Sequence, residues 1–218
     1  TITFSGTHTG SLIGTGLNDR VTATFTATAG TLTSTISGTV TKAQIEQQSF
    51  ATSYIPTSGS SVTRNQDLCT GSGSTSLIDS TEGTLYAEIA RDDNDGASGG
   101  IQINSGSVDN SLRLFFNQDD TVSVITRVGG SNNVVKTARS ITSSTAMNKF
   151  ALVWKLNDYK FYYNGTELWS DTSASVYAVG TLNNLEFKNQ NVPFNGKTKC
   201  LAVFPYLTDA ELTALTTI

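Results

Sequence analysis

Charge, cysteine, histidine and proline are all scarce in this chain, and each shortage narrows what it can be. Only 15% of the 218 residues are charged, and 14 Lys and Arg against 18 Asp and Glu leave a formal net charge of −4. The cations are scattered with no stripe, which argues against nucleic acid, since binding phosphates needs a cationic face. One histidine, His8, and two cysteines, Cys69 and Cys200, cannot complete a usual zinc set, and neither cysteine sits in a CxxC. The two cysteines read either as unpaired thiols or as a long-range disulfide that only strand adjacency could close. No apolar run approaches the ~20 residues needed to cross a bilayer as a helix. The chain opens on Thr1 with no signal-like segment, which predicts a processed or partial chain. Thr, Ser and Gly are plentiful instead. A surface made neutral by hydroxyls suits a rigid extracellular or virion protein better than a cytosolic metabolic enzyme.

The most informative stretch is residues 148–169, NKFALVWKLNDYKFYYNGTELW. Phe150, Leu152, Trp154 and Leu156 alternate with Ala151, Val153 and Lys155, the period of a strand with one buried face. Asn157-Asp158 breaks the run, and a second strand sets Tyr159, Phe161 and Tyr163 on one side. Asn164-Gly165 then predicts a two-residue type I′ hairpin, whose central residues both need positive φ. The same Asn164-Gly165-Thr166 is formally a glycosylation sequon, which the turn explains without modification. Three strands so rich in aromatics need a second layer to cover them.

Residues 1–48 read as Thr-rich strands, at 20–27 (RVTATFTA), 31–36 and 39–45, too few to close a core alone. Residues 49–63 form a linker around Pro56, and residues 64–218 a larger domain. Its strands are expected near 67–69, 83–90, 100–104, 111–116, 121–128, 134–138, 150–156, 159–163, 166–169, 182–187 and 198–204. Strands at that spacing, separated by Gly and Asx turns, indicate an all-β, antiparallel sandwich or jelly roll rather than βαβ units. Only the end reads as helix: Thr208 with Glu211 makes a capping box, and Leu207 with Leu212 a hydrophobic staple.

Residues 43–57, AQIEQQSFATSYIPT, resemble a junction common in bacteriophage tail-fibre, tailspike and other virion proteins. In those proteins it links a carbohydrate-binding-module-like sandwich to a concanavalin A-like (laminin-G-like) jelly roll. EGTLY at 82–86, KFALVW at 149–154, FYYNG at 161–165 and CLAVFPYLTDAELTAL at 200–215 resemble that jelly roll's strands and closing helix, in order. The resemblance covers roughly residues 20–218. It implies the fold, virion display with other virion proteins as partners, a trimeric homo-oligomer, an extracellular location on the particle, and engagement of host surface glycans. It implies a fold more than an activity, because one fold carries lectins, glucanases and inert modules alike; a stand-alone secreted lectin and a polysaccharide hydrolase are the alternatives. It also implies that residues 1–48 are the last strands of an upstream module, or a sheet that another subunit completes.

Candidate sites are few. A retaining glucanase of this resemblance needs acids clustered on one strand, with two carboxyls ~5 Å apart. Glu88 and Asp92 come nearest, but Ala90 stands between them where an acid is wanted, and Glu167 and Glu186 are isolated. No catalytic residue is therefore assigned. Asp92, Asp93, Asn94 and Asp95 form an acidic loop that reads either as a solvated hairpin turn or as a calcium site, the one cofactor expected. Sugar binding needs an aromatic face plus amides for the hydroxyls. Trp169, Tyr162 and Tyr177 are the aromatics that would supply it, with Asn183, Asn184 and Asn132 nearby in loop-like segments; Trp169 closes a hairpin strand, where cross-strand packing suffices to explain it.

Overall fold

A computed structural model describes residues 1–17, 19–47, 51–63, 72–92 and 99–218. The chain divides into two compact units, Thr1–Asn65 and Gln66–Ile218. In the first, β1 (Ile2–Gly6) lies between β2 (Gly10–Leu12) and β3 (Leu32–Ile36) in an antiparallel sheet. Residues 20–27 and 39–45, expected as strands, join no ladder. Their Thr-rich alternation supplies β-propensity but little apolar surface to hold an added strand in register. Phe25 nonetheless stacks on His8 with ring centroids 3.9 Å apart and meets Phe4 at a tilt, 5.2 Å away. Among the described residues of this unit, Phe4 is the one buried hydrophobic side chain.

The second unit is an antiparallel β-sandwich of two five-stranded sheets. One sheet runs in the order β11-β10-β9-β4-β15, built from Glu82–Arg91 (β4), Asn148–Lys155 (β9), Tyr159–Tyr163 (β10), Thr166–Asp171 (β11) and Gly196–Phe204 (β15). The other runs β12-β5-β6-β7-β8, from Gly100–Asn104 (β5), Ser111–Phe116 (β6), Thr121–Val128 (β7), Ser131–Ser140 (β8) and Asn184–Glu186 (β12). A small hairpin, β13 (Lys188–Asn189) with β14 (Val192–Pro193), follows β12. The inner faces meet in one core: Leu85, Ala87, Ile89, Phe150, Leu152, Trp154 and Phe161 from the first sheet face Ile101, Ile103, Leu112, Leu114, Phe116, Val122, Val124 and Val134 from the second. Apolar residues at every second position make this possible, because successive side chains point to opposite faces. The all-β jelly-roll expectation is therefore met, and so is its short closing helix.

The local chemistry of the turns is as read. Asn164 and Gly165 sit at φ 46° and 84°, the pair of positive angles that lets β10 return directly as β11. Trp154 is fully buried, and its indole N–H donates to the Asp79 carbonyl at 3.0 Å. Helix α1 spans Asp209–Thr216, with the Thr208 amide and hydroxyl donating to the Glu211 carboxylate at 2.8 and 2.7 Å.

Two expectations about residues 148–169 need correcting. Leu156 does not join Phe150, Leu152 and Trp154 inside; β9 ends at Lys155 and Leu156 is 60% exposed. The opposite face of β9 is not solvated either. Ala151 and Val153, with Tyr162 of β10, form a second small core under Leu212 of α1, flanked by Tyr206 and Leu207. The helix closes the outer side of that sheet, and Lys160 ties it down through Asp209 at 2.6 Å.

Candidate functional site

The two outer faces of the sandwich differ in kind. Hydrocarbon and a helix cover part of the β11-β10-β9-β4-β15 sheet, whereas the β12-β5-β6-β7-β8 sheet sends polar side chains outward. Residues 101–104 (IQIN), 111–116 (SLRLFF) and 121–127 (TVSVITR) alternate, with Phe115 and Ile125 the apolar exceptions on the outer side. Ile101, Leu112 and Val124 turn inward while Gln102, Asn104, Ser111, Arg113, Ser123 and Arg127 turn out. Pairing then sets them in rows. Glu186 opposes Gln102, which opposes Arg113, which opposes Ile125. In the next row Asn184 opposes Asn104, then Ser111, Arg127 and Asn132. The bulge after Thr126 skips Asn133 and so brings Asn132 to the same face as Arg127.

Among the described residues, this face holds one carboxylate and two guanidinium groups. Glu186 accepts from Gln102 at 2.7 Å and Asn104 at 2.6 Å, and pairs with Lys188 at 2.8 Å. Burial pushes its carboxyl up, but the bonds from Lys188, Gln102 and Asn104 outweigh that and hold it below the usual range. Arg113 is only 4% exposed, and its sole hydrogen bond goes to the Asn189 Oδ1 at 3.3 Å. Arg127 donates to the Gly130 carbonyl. The Nε of each arginine is buried without a partner. Burial, then the like charge of Arg127, weakens the hold of Arg113 on its proton, against a smaller opposing pull from Tyr177. Hairpin β13–β14 packs on β5 and β6, where the Gln190 amide donates to the Gln102 side chain at 3.0 Å, so part of the polar face lies beneath it.

The residues first singled out for sugar binding are scattered. The three aromatics form no exposed platform: Trp169, Tyr162 and Tyr177 are 8%, 4% and 2% exposed, Trp169 and Tyr177 in the main core and Tyr162 in the small one under α1. Trp169 stacks on Phe161 at 5.9 Å, and Tyr162 lies under α1. Tyr177 is in the main core with its hydroxyl donating to the Ser111 carbonyl at 2.8 Å. Packing within the sandwich claims all three, Trp169 and Tyr162 from strands and Tyr177 from the segment between β11 and β12. Burial pushes the Tyr162 hydroxyl up to about 12 and the Tyr177 hydroxyl well above its ordinary value, as expected of rings that stay neutral inside. The asparagines fare differently: Asn132 and Asn184 stand on the polar face, at opposite ends of one row. Asn183 is exposed just before β12, and its amide donates to the Asn104 carbonyl at 3.1 Å.

Of the acidic loop, Asp92 is half-buried at the end of β4, while Asp93, Asn94 and Asp95 lie outside the described residues. No cluster of three His, Cys, Asp or Glu that could hold a metal exists among the described residues. Glu88, the nearest approach to a glucanase acid, is buried on β4 and pairs with Lys199 at 2.8 Å. Cys200 is an exposed free thiol on β15, and Cys69 lies outside the described residues.

The residues that share this face are Gln102, Asn104, Arg113 and Arg127, which the sequence did not single out, and Glu186, which it offered only as an isolated acid. The signal was present as arginines and amides at alternate positions of adjacent strands, where a buried face would carry hydrocarbon.

No family model and no curated protein matches the chain. Solved structures do. The CBM40 domain of the Ruminococcus gnavus IT-sialidase, bound to α2,3-sialyllactose, is similar at 18% identity and a TM-score of 0.52, over 70% of this chain and 97% of that one. Domain 4 of AbnA, an extracellular GH43 arabinanase from Geobacillus stearothermophilus, in complex with arabinotriose, is similar at 16% identity and a TM-score of 0.53, over 66% and 70%. The heptameric SAP-like pentraxin of Limulus polyphemus follows at 12% identity and 0.50, over 63% and 70%. This chain shares the fold of carbohydrate-binding β-sandwich domains. At such identities the likeness is one of fold alone.

Proposed function

We propose that the second unit is a non-catalytic carbohydrate-binding module that takes glycans on the outer face of the β12-β5-β6-β7-β8 sheet. The observation that carries this reading is that face itself. It carries amides, hydroxyls, a carboxylate and guanidinium groups in rows, with Gln102, Asn104, Ser111 and Arg113 buried and Arg127, Asn132, Asn184 and Glu186 at least partly open to solvent, on a sandwich shared with domains solved with sialyllactose and arabinotriose bound. Amides and charged groups fixed by a strand backbone meet sugar hydroxyls with little loss of side-chain freedom. Catalysis is absent from the proposal because the acids are already engaged, Glu88 by Lys199 and Glu186 by three donors.

The phage-like junction at residues 43–57 supports a finer version, in which the module is displayed outward on a bacteriophage virion as part of an oligomer and engages host surface glycans. A stand-alone secreted lectin is the second reading, favoured if the protein is absent from purified particles by mass spectrometry. The test of the shared claim is an array of neutral and acidic glycans probed with the full chain and with a variant of the exposed Asn132, Asn132→Ala. Binding that weakens in the variant supports the proposal, and an array with no bound glycan overturns it.

A further inference from the structure

We infer that Arg113 and Arg127 form a subsite for the carboxylate of an acidic sugar, an assignment that rests on the glycan-binding reading of this face. The two arginines lie on neighbouring strands. Ser111 opposes Arg127 and Arg113 opposes Ile125, so the guanidinium-bearing residues are diagonal neighbours on one face, a spacing of about 7–8 Å between backbones. Long side chains close that distance easily.

Neither arginine has a carboxylate partner among the described residues. The one acid on the face, Glu186, has its oxygens taken up by Lys188, Gln102 and Asn104. Each guanidinium therefore makes a single protein hydrogen bond out of five N–H groups, and each Nε is sealed from solvent with no acceptor. In a chain with more acids than bases overall, two like charges left together and unanswered are costly. Such a pair fits an anion that arrives from outside. The fork of a guanidinium matches a planar carboxylate in a two-point contact, which neutral sugars cannot provide.

Access comes from the β7–β8 side. Arg127 is half-buried and Asn132, its cross-strand neighbour, is exposed, whereas Arg113 lies deeper, bonded to Asn189 of the β13–β14 hairpin. A carboxylate would meet Arg127 first with Arg113 behind it, while the Asn132 amide reaches the ring hydroxyls.

The experiment uses the full chain in calorimetric titrations with acidic oligosaccharides from the array and with the same sugars after reduction of the carboxyl to an alcohol. Wild type is compared with Arg127→Gln, and with Arg127→Lys as a charge-retaining variant; tryptophan emission checks the fold. Carboxyl reduction is expected to weaken wild-type binding roughly 10- to 100-fold. Arg127→Gln should weaken binding of the intact acid by a similar factor, leave the reduced sugar unchanged, and be partly rescued by Lys. Acidic and reduced sugars binding alike, glycans that are only neutral, or Arg127→Gln without effect would overturn the carboxylate subsite and leave the glycan module standing. A chain that binds no sugar of either kind overturns both.

Discussion

Replacing Arg113 with methionine should make the sandwich more stable, an unusual direction for a buried residue. Arg113 is 4% exposed, its Nε has no partner, and its one hydrogen bond, to Asn189, is long at 3.3 Å. Taking a charge from water into such a place costs several kcal/mol even after relaxation, and the like charge of Arg127 adds to it. Against this stands one hydrogen bond from a charged donor, worth about 1.5–3 kcal/mol at best geometry and less here. Methionine keeps the unbranched stem, so little packing is lost. The expected net gain is about 1–3 kcal/mol. Urea unfolding at pH 7 reads it directly: Trp154 and Trp169 are both buried in the sandwich, so their emission follows this unit. With m near 2 kcal/mol/M the midpoint should rise by roughly 0.5–1.5 M at constant m. The same variant should lose affinity for acidic sugars. A drop in stability of more than about 1 kcal/mol would refute the reasoning, because Arg113 would then be a tie between the sheet and hairpin β13–β14.

Three further outcomes can be checked with the same unfolding assay. Leu212→Ala removes the helix side chain buried on Ala151, Val153 and Tyr162 and should cost about 2–5 kcal/mol; a cost below about 1 would mean α1 does not seal that face. Gly83→Ala places a methyl 2.4 Å from Cζ2 of Trp154, so it should cost about 1–3 kcal/mol and alter the near-UV signal of the indole. Glu186 titrates below its unfolded value, so its contribution is present above about pH 4.3 and is lost as pH falls through the lower folded value. Glu186→Gln should therefore flatten part of the decline in midpoint between pH 5 and 3, and parallel wild-type and variant curves would contradict it.

Much of the fold could be read before any coordinates. The alternation of residues 150–155, the Asn164-Gly165 turn and the Thr208–Glu211 box each encode a local geometry that tertiary packing did not need to override. What the alternation at 150–155 could not show was the helix on its second face. Ala151 and Val153 are as compatible with light solvent exposure as with burial under Leu212, and only the return of the chain end decides between them. The candidate site was less legible, for a physical reason. Trp169, Tyr162 and Tyr177 advertise a sugar platform by residue type, yet aromatic rings in strands bury more surface inside than any ligand offers them. The residues that do share a face, Arg113 with Arg127 and Asn184 with Asn132, are brought together by strand order and by a one-residue bulge, neither of which is a local property.

The in–out alternation of β5, β6 and β7 has an evolutionary consequence. Positions 101, 103, 112, 114 and 124 carry cohesion, while 102, 104, 113 and 127 hold the polar face on which the proposed recognition rests, and the two sets share a backbone but not a surface. Drift in the outward set can retune which molecules this scaffold greets without loosening its interior, so closely related copies can diverge in taste while remaining superimposable in shape.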